Sequence, residues 1–360
     1  MPSDAPIGRS LPLFPASIVG SIPRPLVVRE LIEKPHWDAA DGAAMDAAIR
    51  FVVAMQERAG LDVVNDGEWR RRSYIGVIAE LAHGFTLETN PADGRPWTVV
   101  TGRLAPKPAG FIAREAAFVK GIATVATKIT LPAPALLGER LWDAERSRRA
   151  YPDREDFVRA CVAPLRAEIA MLREIGVEIV QIDDPHLCLF VDPAVRARYD
   201  DPDRAADFAV DMINATVEGF AGVKFAVHLC RRAGARVRGE KHHAGTYGPI
   251  LRQLNRLKVQ HLTMEFTAAG ADDLESLGRL REDLEVGLGV VDVTPGAPEA
   301  APAIAARAER ALERIDKRRI TLNPDCGFAP GSAARVDIDE VYLKLKAEAE
   351  AARLLRQRYG

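Results

Sequence analysis

The feature that most constrains the fold is a regular alternation of short β-rich runs with longer amphipathic helices. Such an alternation is typical of repeated βα units built around a parallel sheet. The runs occupy residues 16–21, 61–66, 126–131, 178–183, 224–229, 261–266, 284–289 and 319–324. The clearest helical patterns occupy residues 41–59, 154–175, 203–220, 271–281, 298–315 and 336–356. Eight runs predict a closed (β/α)8 TIM barrel, because the Gly-rich phosphate loop of an open dinucleotide-binding sheet does not follow the first run.

Two stretches interrupt this alternation. Residues 84–120 contain Gly, Pro and the β-leaning run WTVVTGRL, which predicts a hairpin excursion before the third strand. Residues 231–247 predict a basic loop inserted after the fifth strand. We interpret this loop either as a solvated surface or as a lid whose cations attract an anionic substrate, with Arg231 and Arg232 as the candidate anion-binding residues.

The overall composition narrows the class of protein. A length of 360 residues suits a single catalytic barrel over 1–360, with residues 1–15 as an N-terminal extension. The formal net charge of −2 argues against a dedicated nucleic-acid binder. The four cysteines do not suggest a disulfide framework. With neither a signal-peptide pattern nor an apolar run of about 18 residues, we expect a soluble cytoplasmic protein that binds no membrane.

Residues with chemical functions gather where the β-rich runs end, which is the catalytic face of a (β/α)8 barrel. They are Gly20, Ser21, Glu68, Asp183, Asp184, His186, His228, Cys230, Glu265, Asp292 and Cys326. His228 and Cys230 are two positions apart on extended backbone, so their side chains lie on the same side. With Glu265 and Cys326 they form a donor set that Zn2+ accepts in tetrahedral geometry. A single Cys or His is more often a structural residue, so the joint pattern is what indicates a metal site.

This donor set also indicates a type of reaction. Two thiolates and a carboxylate make a zinc ion electron-rich and a poor activator of water, whereas a coordinated thiol is deprotonated and stays nucleophilic. The pattern therefore favours alkylation of a thiol over hydrolysis. The departing atom of the alkyl donor needs a proton, for which His186, Asp292 and Asp184 are the candidates.

The motifs together resemble the catalytic barrel of cobalamin-independent methionine synthase and its single-barrel relatives, which include epoxyalkane:coenzyme M transferase. The matching segments are Val19–Pro25, Asp66–Glu68, Gln181–Pro185, His228–Cys230, Glu265, Gly289–Asp292 and Asn323–Gly327. The resemblance implies one Zn2+ held by His228, Cys230 and Cys326, with Glu265 as a displaceable fourth ligand. It also implies that Gly20, Ser21, Glu68 and Asp183 bind the amino-acid part of homocysteine.

The chain departs from the two-barrel synthases in three respects. It has no room for their N-terminal barrel, the basic loop lengthens the segment between Cys230 and Glu265, and residues 182–185 read IDDP instead of IDEP. The first hypothesis is therefore methionine biosynthesis by S-methylation of homocysteine, with a methyl-folate or methyl-corrinoid donor. A corrinoid protein or a second copy of the chain is a possible partner.

Two alternatives remain open at the level of sequence. One is alkyl transfer from an epoxide, or another small electrophile, to an anionic thiol such as coenzyme M, which the basic loop favours. The other is a zinc-stabilised, non-catalytic barrel that binds a partner protein, which the many acids at the strand ends oppose.

Overall fold

The computed structural model describes residues 10–90, 94, 96–231, 243–267, 273–329 and 336–360. The strands are Val63–Val64 (β1), Ala82–Thr89 (β2), Pro96–Pro106 (β3), Ala126–Pro132 (β4), Ile179–Asp183 (β5), Lys224–Leu229 (β6), His261–Glu265 (β7), Glu285–Val291 (β8) and Ile320–Pro324 (β9). The helices are Leu26–Glu33 (α1), Ala39–Ala59 (α2), Ile78–Leu81 (α3), Phe111–Ile122 (α4), Pro134–Leu141 (α5), Arg154–Ile175 (α6), Pro185–Leu189 (α7), Pro193–Arg196 (α8), Pro202–Val217 (α9), Leu251–Arg256 (α10), Leu274–Leu277 (α11), Ala301–Glu309 (α12) and Ile338–Tyr359 (α13).

Seven strands form one parallel sheet in the order β1-β4-β5-β6-β7-β8-β9. The segment that precedes the sheet lies between its two edges. Ala16 forms a parallel bridge with Leu322 of β9, and Ser17 forms one with Val63 of β1. The resulting α/β fold is TIM-barrel-like, and the carboxyl ends of its parallel strands meet at one face.

The first two predicted strands are shorter in the structure than in the sequence pattern. Of residues 16–21, only Ala16 and Ser17 form bridges, and of residues 61–66, only Val63–Val64 is a strand. Pairing stops at Asn65 because the Gln56 side chain takes both backbone groups of that residue. Gln56 Nε2 donates to the Asn65 carbonyl at 2.7 Å, and the Asn65 N–H donates to Gln56 Oε1 at 3.1 Å.

An antiparallel hairpin of β2 and β3 precedes β4, where the excursion was predicted. The Trp97 indole of β3 donates to the Arg140 carbonyl at 2.8 Å, and the Leu104 N–H donates to the Tyr151 hydroxyl at 2.8 Å. These contacts fix the hairpin to the carboxyl end of α5 and the segment before α6. The rest of the predicted excursion contains α4.

Helix α6 confirms the predicted bounds 154–175. The Asp153 side chain accepts from the Asp156 N–H at the start, and Gly176 ends the helix with a φ of 78°. Within the described parts of the patterns 271–281 and 298–315, the α-helices are the shorter α11 and α12. Among the described residues, no helix has both the length and the apolar character needed to cross a bilayer.

Candidate metal centre and substrate cavity

His228 lies at the carboxyl end of β6, directly opposite Asp183 of β5. Its Nδ1 is 3.1 Å from Asp183 Oδ1, and the same oxygen accepts from Gln181 Nε2 at 2.8 Å. His228 Nε2 is buried and has no hydrogen-bond partner among the described residues. A carboxylate on one ring nitrogen and an unpartnered buried nitrogen on the other are typical of a metal-ligating histidine.

Cys230 and Cys326 bring their sulfur atoms to this histidine. One donor atom from each of His228, Cys230 and Cys326 lies within 4.8 Å of the other two, and all three residues are buried. The two Sγ atoms are 3.2 Å apart. Metal–ligand bonds of about 2.0–2.3 Å allow one ion to contact donors at these separations. The three residues fit a single metal ion.

The protonation of these donors makes metal binding depend on pH. Burial alone would lower the pKa of His228, but its interactions with Asp183 and then Cys230 outweigh burial and raise this pKa to about 9. The hydrogen bond to Cys326 and burial raise the pKa of Cys230 well above its usual value. Near pH 7, the metal-free site therefore carries a proton on each of these residues.

We expect binding of one Zn2+ near pH 7 to release at least two protons, one from His228 and one from Cys230, because a metal binds the deprotonated donors. Apparent affinity should therefore rise at least about 100-fold per pH unit between pH 6 and 7, and fall as the pH is lowered. Calorimetry in buffers of different ionisation enthalpy measures the number of protons. Release of fewer than two protons would contradict this protonation scheme.

Glu265, the predicted fourth ligand, lies at the carboxyl end of β7 and is fully buried. It does not belong to the three-donor group found among the described residues. Its Oε2 accepts from the backbone N–H of Arg231, the residue that follows Cys230, at 2.8 Å. Its role as a ligand stays a prediction.

A cavity of about 2290 Å³ opens above the three donors. Its wall includes all the residues predicted to bind the amino-acid part of the substrate. The predicted site residues in the wall are Gly20, Ser21, Glu68, Asp183, His228, Cys230 and Cys326. The structure thus brings the three candidate metal donors and the residues predicted to bind substrate to one cavity.

Glu68 is held in an uncommon conformation beside this cavity. Its φ is 60°, which is rare outside glycine, and Asp66 Oδ1 accepts from its N–H at 2.9 Å. Its Oε1 accepts from the Thr130 hydroxyl at 2.7 Å. A Cβ at Gly20 would lie 2.9 Å from the same oxygen, so a larger residue there would displace the Glu68 carboxylate. Burial raises the pKa of Glu68; the charge of Arg71 opposes this shift, and that of Asp183 adds to it.

The candidate proton donors lie away from the described cavity wall. His186 Nε2 is 3.1 Å from the Tyr199 hydroxyl, and burial lowers the pKa of His186 to about 4. Asp184 caps α7 by accepting from the Leu187 N–H at 2.9 Å, and burial raises its pKa to about 7. Asp292 Oδ1 accepts from both the N–H and the hydroxyl of Thr294 in a separate, smaller pocket.

The position of Arg231 differs from the one predicted. Instead of extending from a loop, its guanidinium is fully buried and lies 4.1 Å from the centre of the Tyr247 ring. Stacking and hydrogen bonds to Tyr247 and Glu265 hold it there, so it is not part of the described cavity wall. Arg232 lies outside the described residues, as do residues 233–242 of the basic loop.

Sequence reasoning missed three residues of this region. Gln181 holds Asp183, Tyr74 lines the cavity, and Arg71 is buried in an ion pair with Glu115 at 2.8 Å. Arg71 stands in a run of three arginines, Arg70–Arg72, that is typical of a solvated helix start. The sequence around it therefore predicts a solvent-exposed side chain. Only Gln181 had a signal, since strand alternation places it on the same side of β5 as Asp183.

Comparison with known proteins identifies the family. The family described as cobalamin-independent synthase, catalytic domain, matches residues 14–353. The chain belongs to this family. Two similar curated relatives are both named methionine synthase. The protein of Saccharolobus islandicus (strain Y.N.15.51 / Yellowstone #2) is 29% identical over 333 residues, and that of Saccharolobus solfataricus is 29% identical over 329. Each alignment covers 88% of this chain and 89% of the relative.

Solved structures show the same fold. The B12-independent methionine synthase from Shewanella sp. W3-18-1 in complex with selenomethionine superposes with a TM-score of 0.78 at 21% identity, covering 96% of this chain and 99% of that one. A putative vitamin-B12 independent methionine synthase from Listeria monocytogenes gives 0.73 at 22% identity, covering 98% and 100%. The family's fold therefore extends over nearly the whole of this chain.

Proposed function

We propose that this protein is a zinc-dependent S-methyltransferase that forms methionine from homocysteine. The observation that carries the proposal is the convergence of His228, Cys230 and Cys326 on the cavity that Glu68 and Asp183 line. Membership of the synthase family and relatives named methionine synthase support it. The Shewanella relative binds selenomethionine, the selenium analogue of methionine.

The ligand assignment follows from the donor set. We propose that His228, Cys230 and Cys326 hold the Zn2+, with Glu265 as the displaceable fourth ligand. When bound, this ion would lower the pKa of the homocysteine thiol and leave its sulfur nucleophilic. Asp183 orients the His228 ring through Oδ1, which would leave Nε2 as the nitrogen that binds the ion.

The two carboxylates of the cavity favour an amino-acid thiol. Burial and the charge of Asp183 both raise the pKa of Glu68, so the free site has unfavourable negative charge. Arg71, whose charge opposes this shift, is already paired with Glu115. An α-ammonium group would relieve this repulsion, whereas the sulfonate of coenzyme M would increase it. The coenzyme M alternative is not favoured, because Arg231, one of its supporting cations, is buried away from this wall.

The size of the cavity bears on the methyl donor. Pockets for drug-sized ligands measure about 300–1,000 Å³, and this cavity of about 2290 Å³ exceeds that range. We propose a large donor, either a methyl-folate or a methyl-corrinoid, and retain a corrinoid protein and a homo-oligomer as predicted partners. We also propose that residues 16–17 complete a single-domain (β/α)8 barrel over 1–360, since they bridge both edges of the sheet.

The test is methyl transfer by protein carrying one equivalent of Zn2+. Homocysteine is offered with methyltetrahydrofolate, as mono- and triglutamate, or with methylcobalamin, and methionine is measured. We expect methionine from at least one donor, and loss of its formation after chelation of the metal. Methylation of coenzyme M in preference to homocysteine would overturn the proposed acceptor.

A further inference from the structure

Glu265 is held by two residues that no part of the proposed reaction has used so far. The Tyr247 hydroxyl accepts from the Glu265 N–H at 2.9 Å and donates to the Glu265 carbonyl at 3.1 Å. It also accepts from Arg231 Nη1 at 3.2 Å. The single hydrogen and both lone pairs of this hydroxyl are therefore all engaged. We name Arg231, Tyr247 and Glu265 the Glu265 clamp.

Arg231 holds both the side chain and the backbone of Glu265. Its own N–H donates to Glu265 Oε2 at 2.8 Å, and its Nη1 donates to the Glu265 carbonyl at 3.3 Å. Both residues are fully buried. A buried guanidinium is costly unless it lies near negative charge, and the Glu265 carboxylate provides that charge. Arg231 directly follows Cys230 in the chain. The bond from its backbone N–H therefore holds Glu265 Oε2 next to a residue of the three-donor group.

Neighbouring carboxylates fix the clamp to the barrel. The Tyr247 N–H donates to Asp273 Oδ2 at 2.7 Å. Asp325, which precedes Cys326, accepts through Oδ1 from the N–H groups of Phe266 and Thr267, both at 3.0 Å. The carboxyl end of β7 is therefore tied to the segments that carry Cys230 and Cys326. This arrangement restricts the backbone of Glu265 on both sides.

We propose that Tyr247 and Arg231 are positioning residues that keep the Glu265 carboxylate beside the three-donor group, ready to fill the fourth metal position until a thiol replaces it. This inference rests on the proposed function. It assigns no contact with substrate to either residue. A clamp confined to stability would leave the ligand field of the thiol-free metal unchanged, so the two roles are separable.

The experiment uses Co2+ in place of Zn2+, because the visible bands of Co2+ report its ligands. Tyr247→Phe removes the hydroxyl and keeps the ring. We expect it to retain one Co2+, with a thiol-free spectrum that matches that of Glu265→Gln and differs from that of the wild type. With homocysteine bound, the three spectra should coincide, since the thiol has then replaced Glu265. If Tyr247→Phe does not fold, Arg231→Lys serves instead, because it loses the Nη1 bonds and should shift the thiol-free spectrum in the same direction.

Tyr151→Phe is the matched control. Tyr151 is also buried, accepts from a backbone N–H and lies under an arginine, with Arg103 at 4.7 Å from its ring centre. Its spectra should match those of the wild type. Wild-type spectra for Tyr247→Phe in both states, or an equal shift for Tyr151→Phe, would overturn the inference. A wild-type protein that binds no Co2+, or that is indistinguishable from Glu265→Gln, would instead overturn the proposed ligand set.

Discussion

Replacing Cys326 with serine is expected to leave a folded barrel that no longer retains its metal. The Cys326 sulfur belongs to the three-donor group, and serine keeps the size of the side chain while removing the thiolate. Loss of a residue that merely orients a ligand costs about 10–100-fold in metal affinity or activity, so loss of a ligand itself should cost more than 100-fold. Metal analysis after dialysis against a chelator measures retention, and circular dichroism checks the fold.

Cys188→Ser is the control for this experiment. Cys188 is also fully buried, and it lies close enough to Cys230 and Glu265 for their charges to act on its thiol, yet it is outside the three-donor group. We expect this variant to keep one equivalent of metal. If Cys326→Ser retained one tightly bound equivalent of metal, as this control is expected to do, Cys326 would be removed from the ligand set.

The metal group was predictable because a parallel sheet places the ends of its strands together. His228 ends β6 and Cys326 follows β9, and the separation between them along the chain does not matter once both reach the carboxyl face. Strand alternation alone put His228 and Cys230 on one side. Glu68 and Asp183 reach the same cavity for the same reason, since each follows or ends a strand of that sheet.

The clamp around Glu265 was not predictable, because it depends on side-chain contacts and not on strand order. Arg231 begins a stretch rich in arginine, and composition therefore predicted a loop that is either a solvated surface or a lid. Its burial results from stacking on Tyr247, sixteen positions further on, and from the Glu265 carbonyl. Similarly, the second strand pattern, residues 61–66, could not show that Gln56, on a helix, would take the backbone groups of Asn65 and end β1.

The negative charge on Glu68 should favour binding of a thiol that carries an α-ammonium group over one that lacks it. Two nearby carboxylates, Glu68 and Asp183, line the cavity, and Arg71, the cation that acts on Glu68, is held by Glu115 at 2.8 Å. An α-ammonium group between the two carboxylates would form a buried charge pair. Removing one partner of such a pair costs about 2 kcal/mol or more. A thiol that lacks the ammonium has no such pair to lose.

Glu68→Gln is therefore expected to lower kcat/KM for homocysteine by about 30-fold or more, since 1.36 kcal/mol corresponds to a factor of ten. The glutamine oxygen can still accept from the Thr130 hydroxyl, so the geometry of the wall is retained. 4-Mercaptobutyrate is homocysteine without its amino group. For this thiol, the same variant should change the dissociation constant less than threefold. Glu80→Gln removes a carboxylate from the exposed rim of the same cavity and measures the general effect of charge. Equal losses for both thiols in Glu68→Gln would refute homocysteine as the acceptor, because the carboxylate would then not be recognising an ammonium group.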